Sequence, residues 1–284
     1  MPGAPRVAPR GHDLPGSLAP AVVAAVDARL AGVAAAEGVH VAWAVESGSR
    51  AWGFPSPDSD HDCRFLYVRP VARYLDPWPA RDVVETPLDA VLDVSGWDVL
   101  KAVRLAVKGN ATVGEWLRSP LVYGGEAGFR DELLALVDAV GDRAGLVRHH
   151  LNVGTDHWRR SGAADGARVP LKRVFYAVRP AAVLHWLAAR DAPTPPMNLG
   201  ELLDQAPPPA EVRAAVDDLV AAKAVTRELG DGVVPDVLRA WVEARFADAE
   251  AALAGGAGGT PEEPRRAEAA DRFRDLLARW APDG

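Results

Sequence analysis

A single cysteine, Cys63, occurs in the 284 residues. It rules out an intramolecular disulfide and fits a reducing setting such as the cytoplasm. No run of 18 apolar residues is present, so no transmembrane helix is expected, and the first residues lack the pattern of a secretory signal. Positive charge is in deficit: 32 Lys and Arg face 39 Asp and Glu, for a formal net charge of −7. Such a chain does not coat itself in nucleic acid, and any contact with RNA or DNA needs a local basic patch. The histidines are not spaced with Cys63 or one another into a zinc pattern, so no zinc is expected, and His149 and His150 read as structural or substrate-facing.

Apolar residues make up 49% of the chain, enough for a sizeable core in one large or two modest domains. The Gly-, Pro- and Arg-rich residues 1–17 read as a loose tail. Residues 18–36 carry an apolar stripe of Val22, Val23, Val26, Leu30 and Val33, which predicts a helix. The most informative stretch is 41–68. Val41, Trp43 and Val45 alternate with Ala42, Ala44 and Glu46, which predicts a strand over 41–47. Gly48 ends it, Pro55 and Pro57 mark a loop, and a second strand rich in β-formers runs over 62–68. Asp58, Asp60 and Asp62 lie just before and at its start.

If the second strand has begun by Asp60, the carboxylates of Asp60 and Asp62 share a face. Like charges at that range repel unless a cation separates them. Mg²⁺ suits such a place, because it takes carboxylate and phosphate oxygens together. A solvated acidic turn is the alternative reading. The Gly48–Ser49 turn adds weight to the first, because backbone N–H groups and the Ser49 hydroxyl can hold phosphate oxygens.

Downstream, residues 69–88 read as a loop with one short strand, and 90–95 as a third strand carrying Asp93. A helix begins at Asp98, with Lys101, Arg104 and Lys108 on one face. That stripe suits either a triphosphate or plain solvent. Thr112 and Glu115 have the spacing of a capping box. From about residue 126 the pattern is helical, with no strand expected and with Pro180 expected to kink or interrupt the helix over 168–190. Asn198 is the candidate cap of the segment after it, and Thr260-Pro-Glu-Glu marks the start of the last helix. The fold class expected is therefore α+β, with a mixed domain over 18–125 and a helical domain over 126–284.

The residues ESGSRAWGFPSPDSDHDCRFLYVRP, followed by GWD, KGN and EWLRSPLVY, resemble one branch of the DNA polymerase β nucleotidyltransferase superfamily. The branch is the YcgL-like predicted nucleotidyltransferases, or RNA repair pathway DNA polymerase β family. The likeness is close over 41–125 and looser over 148–200, where LKRVFYAVRPAAVLHWL is similar to the family's second block. It implies a polymerase-β-like domain that uses Mg²⁺ or Mn²⁺ to transfer a nucleotidyl group from an NTP, ATP first, to an acceptor such as an RNA end.

By that resemblance Asp60 and Asp62 are the shared metal ligands. Asp93 is the third, with Asp98 as its rival and with helix capping a sufficient role for Asp98. Gly48 would admit the phosphates and Ser49 would bond them. Arg50 would clamp the triphosphate or pair with Glu46. Arg64, on the face of Asp62, would neutralise the acidic cluster or touch substrate. Lys101 and Lys108 are candidates for phosphate charge. Lys172, Arg173 and Arg179 could close from across a cleft, a free helix face being the other reading. Trp52 could stack on a base or pin its loop. Rival functions are the same transfer to a small molecule or protein hydroxyl, and a non-catalytic nucleotide-binding or antitoxin-like module. The last requires one of the three carboxylates to be turned away or salt-bridged internally. Oligomeric state cannot be read from the chain.

Overall fold

The computed structural model describes residues 6–9, 18–88, 91–227, 229–255 and 262–283. Its strands are β1 (Arg6–Val7), β2 (His40–Ser47), β3 (His61–Val68), β4 (Val83–Glu85), β5 (Leu92–Asp98), β6 (Val122–Gly125), β7 (Arg168–Pro170) and β8 (Asp231–Val233). Helices of the first half are α1 (Pro20–Glu37), α2 (Gly48–Ala51), α3 (Val71–Tyr74), α4 (Val99–Val107) and α5 (Thr112–Leu117). Those of the second are α6 (Ala127–Val140), α7 (Arg143–Ser161), α8 (Leu171–Ala189), α9 (Leu199–Gln205), α10 (Ala210–Val225), α11 (Asp236–Ala254) and α12 (Glu262–Trp280). The architecture is mixed α+β.

The main sheet runs β1-β2-β3-β5-β4, with β6 also on β2. It is mixed: β2 is antiparallel to β3, and β3 is parallel to β5. Both faces are covered, which explains why β2 is apolar on both sides. Val41, Phe65, Tyr67 and Val94 pack under α1, whereas Trp43, Val45, Leu66 and Val68 pack with α4, α5, α6 and α12. The simple alternation expected of β2 is broken by a register shift between Val41 and Trp43, so these two residues belong to opposite faces. A third cluster joins α7 to α11 and includes Phe54 from the loop after α2.

Several expectations are corrected. Most of the supposed tail lies outside the described residues, but Arg6 and Val7 pair in parallel with His40 and Val41 as β1. Glu115 does not close a capping box with Thr112. It is drawn to Arg179 at 2.8 Å, and the Thr112 N–H is held by Asn110 instead. Pro180 does not interrupt α8, which is continuous through it. The second half also holds strands, the short antiparallel pair β7–β8. Asn198 caps α9 as expected, accepting from the Glu201 N–H at 3.3 Å. Of the start signal at Thr260-Pro-Glu-Glu, the first two residues lie outside the described residues, and α12 opens at Glu262. The packing groups α6 and α12 with the sheet, leaving α7–α11 as the separate helical layer.

Candidate functional site

β2 delivers Ser47 opposite Asp62 of β3, and Asp62 stands opposite Asp93 of β5. Two side chains of one sign thus face each other on neighbouring strands. Arg64 lies two residues beyond Asp62, and therefore on the same face of β3. Its Nη2 donates to Asp62 Oδ1 at 3.2 Å and to Asp93 Oδ2 at 2.7 Å. Its Nη1 donates to the Cys63 and Asp93 carbonyls, each at 3.1 Å, so backbone acceptors fix the guanidinium in place. Burial pushes the Asp62 carboxyl above the usual carboxylate range. Arg64 opposes that shift, and the charges of Glu46, Asp93 and Asp60 add to it.

Beneath Asp62 lies Glu46, fully buried on β2. It accepts from the Asp62 N–H at 2.8 Å and from the Tyr123 hydroxyl. This carboxylate fixes the start of β3. In the sequence Glu46 stood out only by its place in the β2 alternation and as a partner for Arg50, and Tyr123 only as the end of EWLRSPLVY, with no role.

Gly48 turns the chain out of β2 with φ +65°, and a Cβ there would collide with the Asp62 carboxylate. Glycine is therefore required at this turn on two counts. Ser49 Oγ donates to Ser59 Oγ at 3.0 Å. Arg50 does not pair with Glu46; it donates to the carbonyls of Ser59 at 2.6 Å and Asp60 at 3.1 Å. Arg50 and Ser49 thus tie α2 to the loop that carries Asp60. β3 begins at His61, so Asp60 precedes the strand and is exposed, and the strand does not impose a common face on Asp60 and Asp62.

Asp60 and Asp62 nevertheless line one cleft of about 320 Å³, together with Gly48, Ser49, Asp58 and Arg64. Its other wall comes from the helical layer: Lys172 and Tyr176 of α8, and Lys223 of α10. Trp52 lies between the two walls. Its ring packs 5.8 Å from Phe54 and 5.9 Å edge-on to Tyr176, with the Arg179 guanidinium 5.0 Å away, so it pins its loop while lining the cleft. A hollow of about 450 Å³ beside α7, α8 and α11 is larger, but its Arg245 is paired with Asp248 and its Arg143 is spent on carbonyls. Chemistry, not volume, singles out the cleft.

Other expected site residues are placed elsewhere. Asp98 pairs with Tyr67 at the far end of β5, about 16 Å along the strand from Asp93 at the usual rise. There it caps α4 through the Leu100 N–H at 2.8 Å and faces Arg69 Nε at 3.2 Å. The same end holds Lys101, bonded to Asp82 at 3.1 Å. Lys108 lines a groove against α12, so neither lysine lines the cleft. Arg179 is buried, bound to Glu115 at 2.8 Å and to the Met197 carbonyl at 3.0 Å, and is not free to close on a ligand. Arg173 is exposed on α8 and is not part of the cleft wall. Cys63 is buried on the face opposite Asp62, with burial pushing its thiol up, as a small core residue. Lys223 was not singled out in the sequence, because α10 looks like any amphipathic surface helix.

The donor set suits a divalent ion in part. The carboxylates of Asp60 and Asp62 share the cleft, and Asp62 already faces one cation, Arg64, at 3.2 Å. Asp93 is held by Arg64 and can join them only if that ion pair opens. Among the described residues, no group of three or more His, Cys, Asp or Glu is arranged to hold a metal. No described helix is long and apolar enough to cross a membrane.

The chain is 34% identical over 206 residues to the uncharacterized protein YcgL of Bacillus subtilis (strain 168), covering 72% of this chain and 78% of that protein. Residues 22–275 match the family model RlaP, which takes in the sheet apart from β1, the cleft and all of the helical layer. The chain therefore belongs to the RNA repair pathway DNA polymerase beta family.

Proposed function

We propose that the protein is a metal-dependent nucleotidyltransferase that moves an NMP unit from an NTP, ATP first, to an acceptor. The observation that carries this reading is the cleft itself. A glycine–serine turn and two aspartates on one wall face two lysines on the other, in a space on the scale of small-molecule sites. The family name points to nucleotidyl transfer and to an RNA end as the acceptor.

In this reading Gly48 lets the donor's phosphates approach the backbone, and Ser49 is within the cleft to bond them. Asp60 and Asp62 hold Mg²⁺ or Mn²⁺, and Asp93 is their third partner once Arg64 yields. The metal supplies charge neutralisation and activation of the acceptor oxygen when bound. That oxygen forms a bond to the α-phosphorus. The bond from this phosphorus to the bridging oxygen breaks, the electron pair leaves on pyrophosphate, and the acceptor's proton passes to solvent. The polymerase-β-like fold of the sheet half is part of the same proposal.

A second reading has its own support. Arg64 salt-bridges Asp62 and Asp93 internally, the arrangement expected of a non-catalytic nucleotide-binding module. One experiment separates the two. The protein is incubated with each labelled NTP and Mg²⁺ or Mn²⁺, against RNA ends, protein and small-molecule acceptors. Transfer that Asp62→Asn abolishes, at an unchanged melting temperature, supports the enzyme. Nucleotide binding with no transfer to any acceptor supports the module. Transfer that survives both Asp60→Asn and Asp62→Asn ends the active-site assignment.

A further inference from the structure

A lysine buried in the cleft wall forms no ion pair with any carboxylate among the described residues. Lys223 of α10 is 2% exposed, yet it lines the same cleft as Asp60 and Asp62. Its ammonium lies 4.6 Å from the centre of the Phe54 ring and 5.1 Å from that of Phe175. Those two rings are stacked on each other at 4.7 Å, so they form a firm apolar seat for the lysine stem. Ring faces attract the charge but leave the ammonium's three N–H donors without oxygen acceptors. The Lys223 ammonium forms no ion pair or hydrogen bond with any described residue.

A second cation makes matters worse for the empty cleft. Lys172 lies near enough to disfavour the charge on Lys223, and only Asp58 opposes it. Asp58 is itself held by Ser56 and is shared with Lys172 and Arg227. Burial and the neighbouring cation together bring the Lys223 ammonium down to about 8. Lys172 and Tyr176 are four residues apart on α8, so they stand on one helix face beside Lys223. Two cations and a hydroxyl thus converge on the cleft with one exposed carboxylate, Asp58, near both lysines and ion-paired to neither among the described residues. A core position gains nothing from such a lysine, since a methionine would fill the same seat without the desolvated charge. An oxyanion in the cleft would satisfy all three groups together.

We propose that Lys223 and Lys172 form a phosphate subsite on the helical wall of the cleft, one that holds the part of the donor released as pyrophosphate. This rests on the nucleotidyl-transfer reading and deepens it, because it orients the donor. The terminal phosphates lie toward α8 and α10, and the α-phosphate lies toward Asp60 and Asp62. As the bond to the bridging oxygen breaks, the electron pair stays on pyrophosphate, and the two ammonium groups face the charge that develops there.

The test uses inorganic pyrophosphate as the probe, with EDTA present, by titration calorimetry on the full chain. Lys223→Met and Lys172→Met are each expected to weaken binding at least tenfold. Asp62→Asn is expected to leave this metal-free affinity unchanged or tighter. Methionine keeps an apolar stem against Phe54 and Phe175, so Lys223→Met should melt no lower than the parent. Should it fail to fold, Lys172→Met decides alone, because Lys172 is exposed. Affinity within twofold of the parent in the folded variants overturns the subsite, and so does the absence of pyrophosphate binding by the parent. The two readings fail separately. Lysine-dependent pyrophosphate binding without any NMP transfer keeps the subsite and removes the enzyme. Transfer that Asp62→Asn abolishes, but that neither lysine variant alters, keeps the enzyme and removes the subsite.

Discussion

Asp62 and Asp93 stand opposite each other on β3 and β5 and share one nitrogen, Nη2 of Arg64, at 3.2 and 2.7 Å. A guanidinium therefore sits where two converging carboxylates would otherwise repel. It also competes with any divalent cation for the same oxygens.

Replacing Arg64 with methionine should tighten Mn²⁺ binding in the absence of nucleotide by about tenfold, since a competing cation is removed. The same change should lower the melting temperature without metal, and added Mn²⁺ should restore it. Mn²⁺ titration followed by electron paramagnetic resonance measures the first effect, and a thermal melt the second. Equal or weaker Mn²⁺ affinity would show that Arg64 does not compete.

Glu46 is expected to act through Asp62. Glu46→Ala strands the Asp62 N–H and the Tyr123 hydroxyl in a buried place, which costs about 2–4 kcal/mol. Glu46→Gln keeps an acceptor and should cost less. Urea unfolding of both variants tests this, and equal losses would contradict the role of the paired acceptors.

Gly48→Ala combines a left-handed φ of +65° with a collision against Asp62. The expected stability loss is about 1–2 kcal/mol. Nucleotidyl transfer should fall by more than tenfold, as Asp62 is displaced. A variant with parent-like transfer and stability would mean the turn is not held as described.

Two aspartates on one strand should separate cleanly. Asp98 is buried with Arg69, Tyr74 and the α4 N-terminus, so Asp98→Asn should cost about 2–4 kcal/mol of stability and spare metal-dependent nucleotide binding. Asp93→Asn should do the reverse. Paired melts and binding titrations distinguish them, and a loss of binding in Asp98→Asn at full stability would reverse the assignment.

The pH dependence of stability carries the signature of Lys223. Its folded value is depressed to about 8 from 10.5, so its neutral form is favoured by the fold. The associated stability is present above about pH 10.5 and is lost as pH falls through about 8. Lys223→Met should therefore exceed the parent most at pH 7, by up to about 3 kcal/mol, and the gap should close toward pH 10.5. Chemical denaturation of the pair between pH 7 and 10.5 measures it. A gap that stays constant or grows with pH would rule out the uncompensated charge.

The sheet and its motif were legible because they are local. Period-two apolar residues around Trp43 and a run of β-formers around Phe65 predict strands, and a glycine followed by serine predicts the turn at 48–49. The Asp62–Asp93 juxtaposition was half legible. Family likeness suggested it, but only the parallel register of β3 and β5 brings the two together and sends Asp98 to the other end. The β2 bulge was invisible, since both faces are apolar and alternation carries no phase information there. Lys101 and Lys108 were misplaced because a helix face shows which residues are neighbours, not which end of the sheet the helix serves. Lys223 was invisible for a related reason. A lysine on an amphipathic helix looks solvent-facing until Phe54, from a distant loop, closes over it.

The path of α12 has a consequence for how the protein is made. Leu276, Leu277 and Ala269 fill the same apolar layer as Leu66, Val103 and Phe129, and His40 Nδ1 lies 3.1 Å from the Trp280 carbonyl. Residues that leave the ribosome early thus wait for a segment translated long after them before their packing is complete. The nascent sheet must spend that interval with one greasy side only partly covered by α4, α5 and α6, and α12 acts as the late-arriving cover.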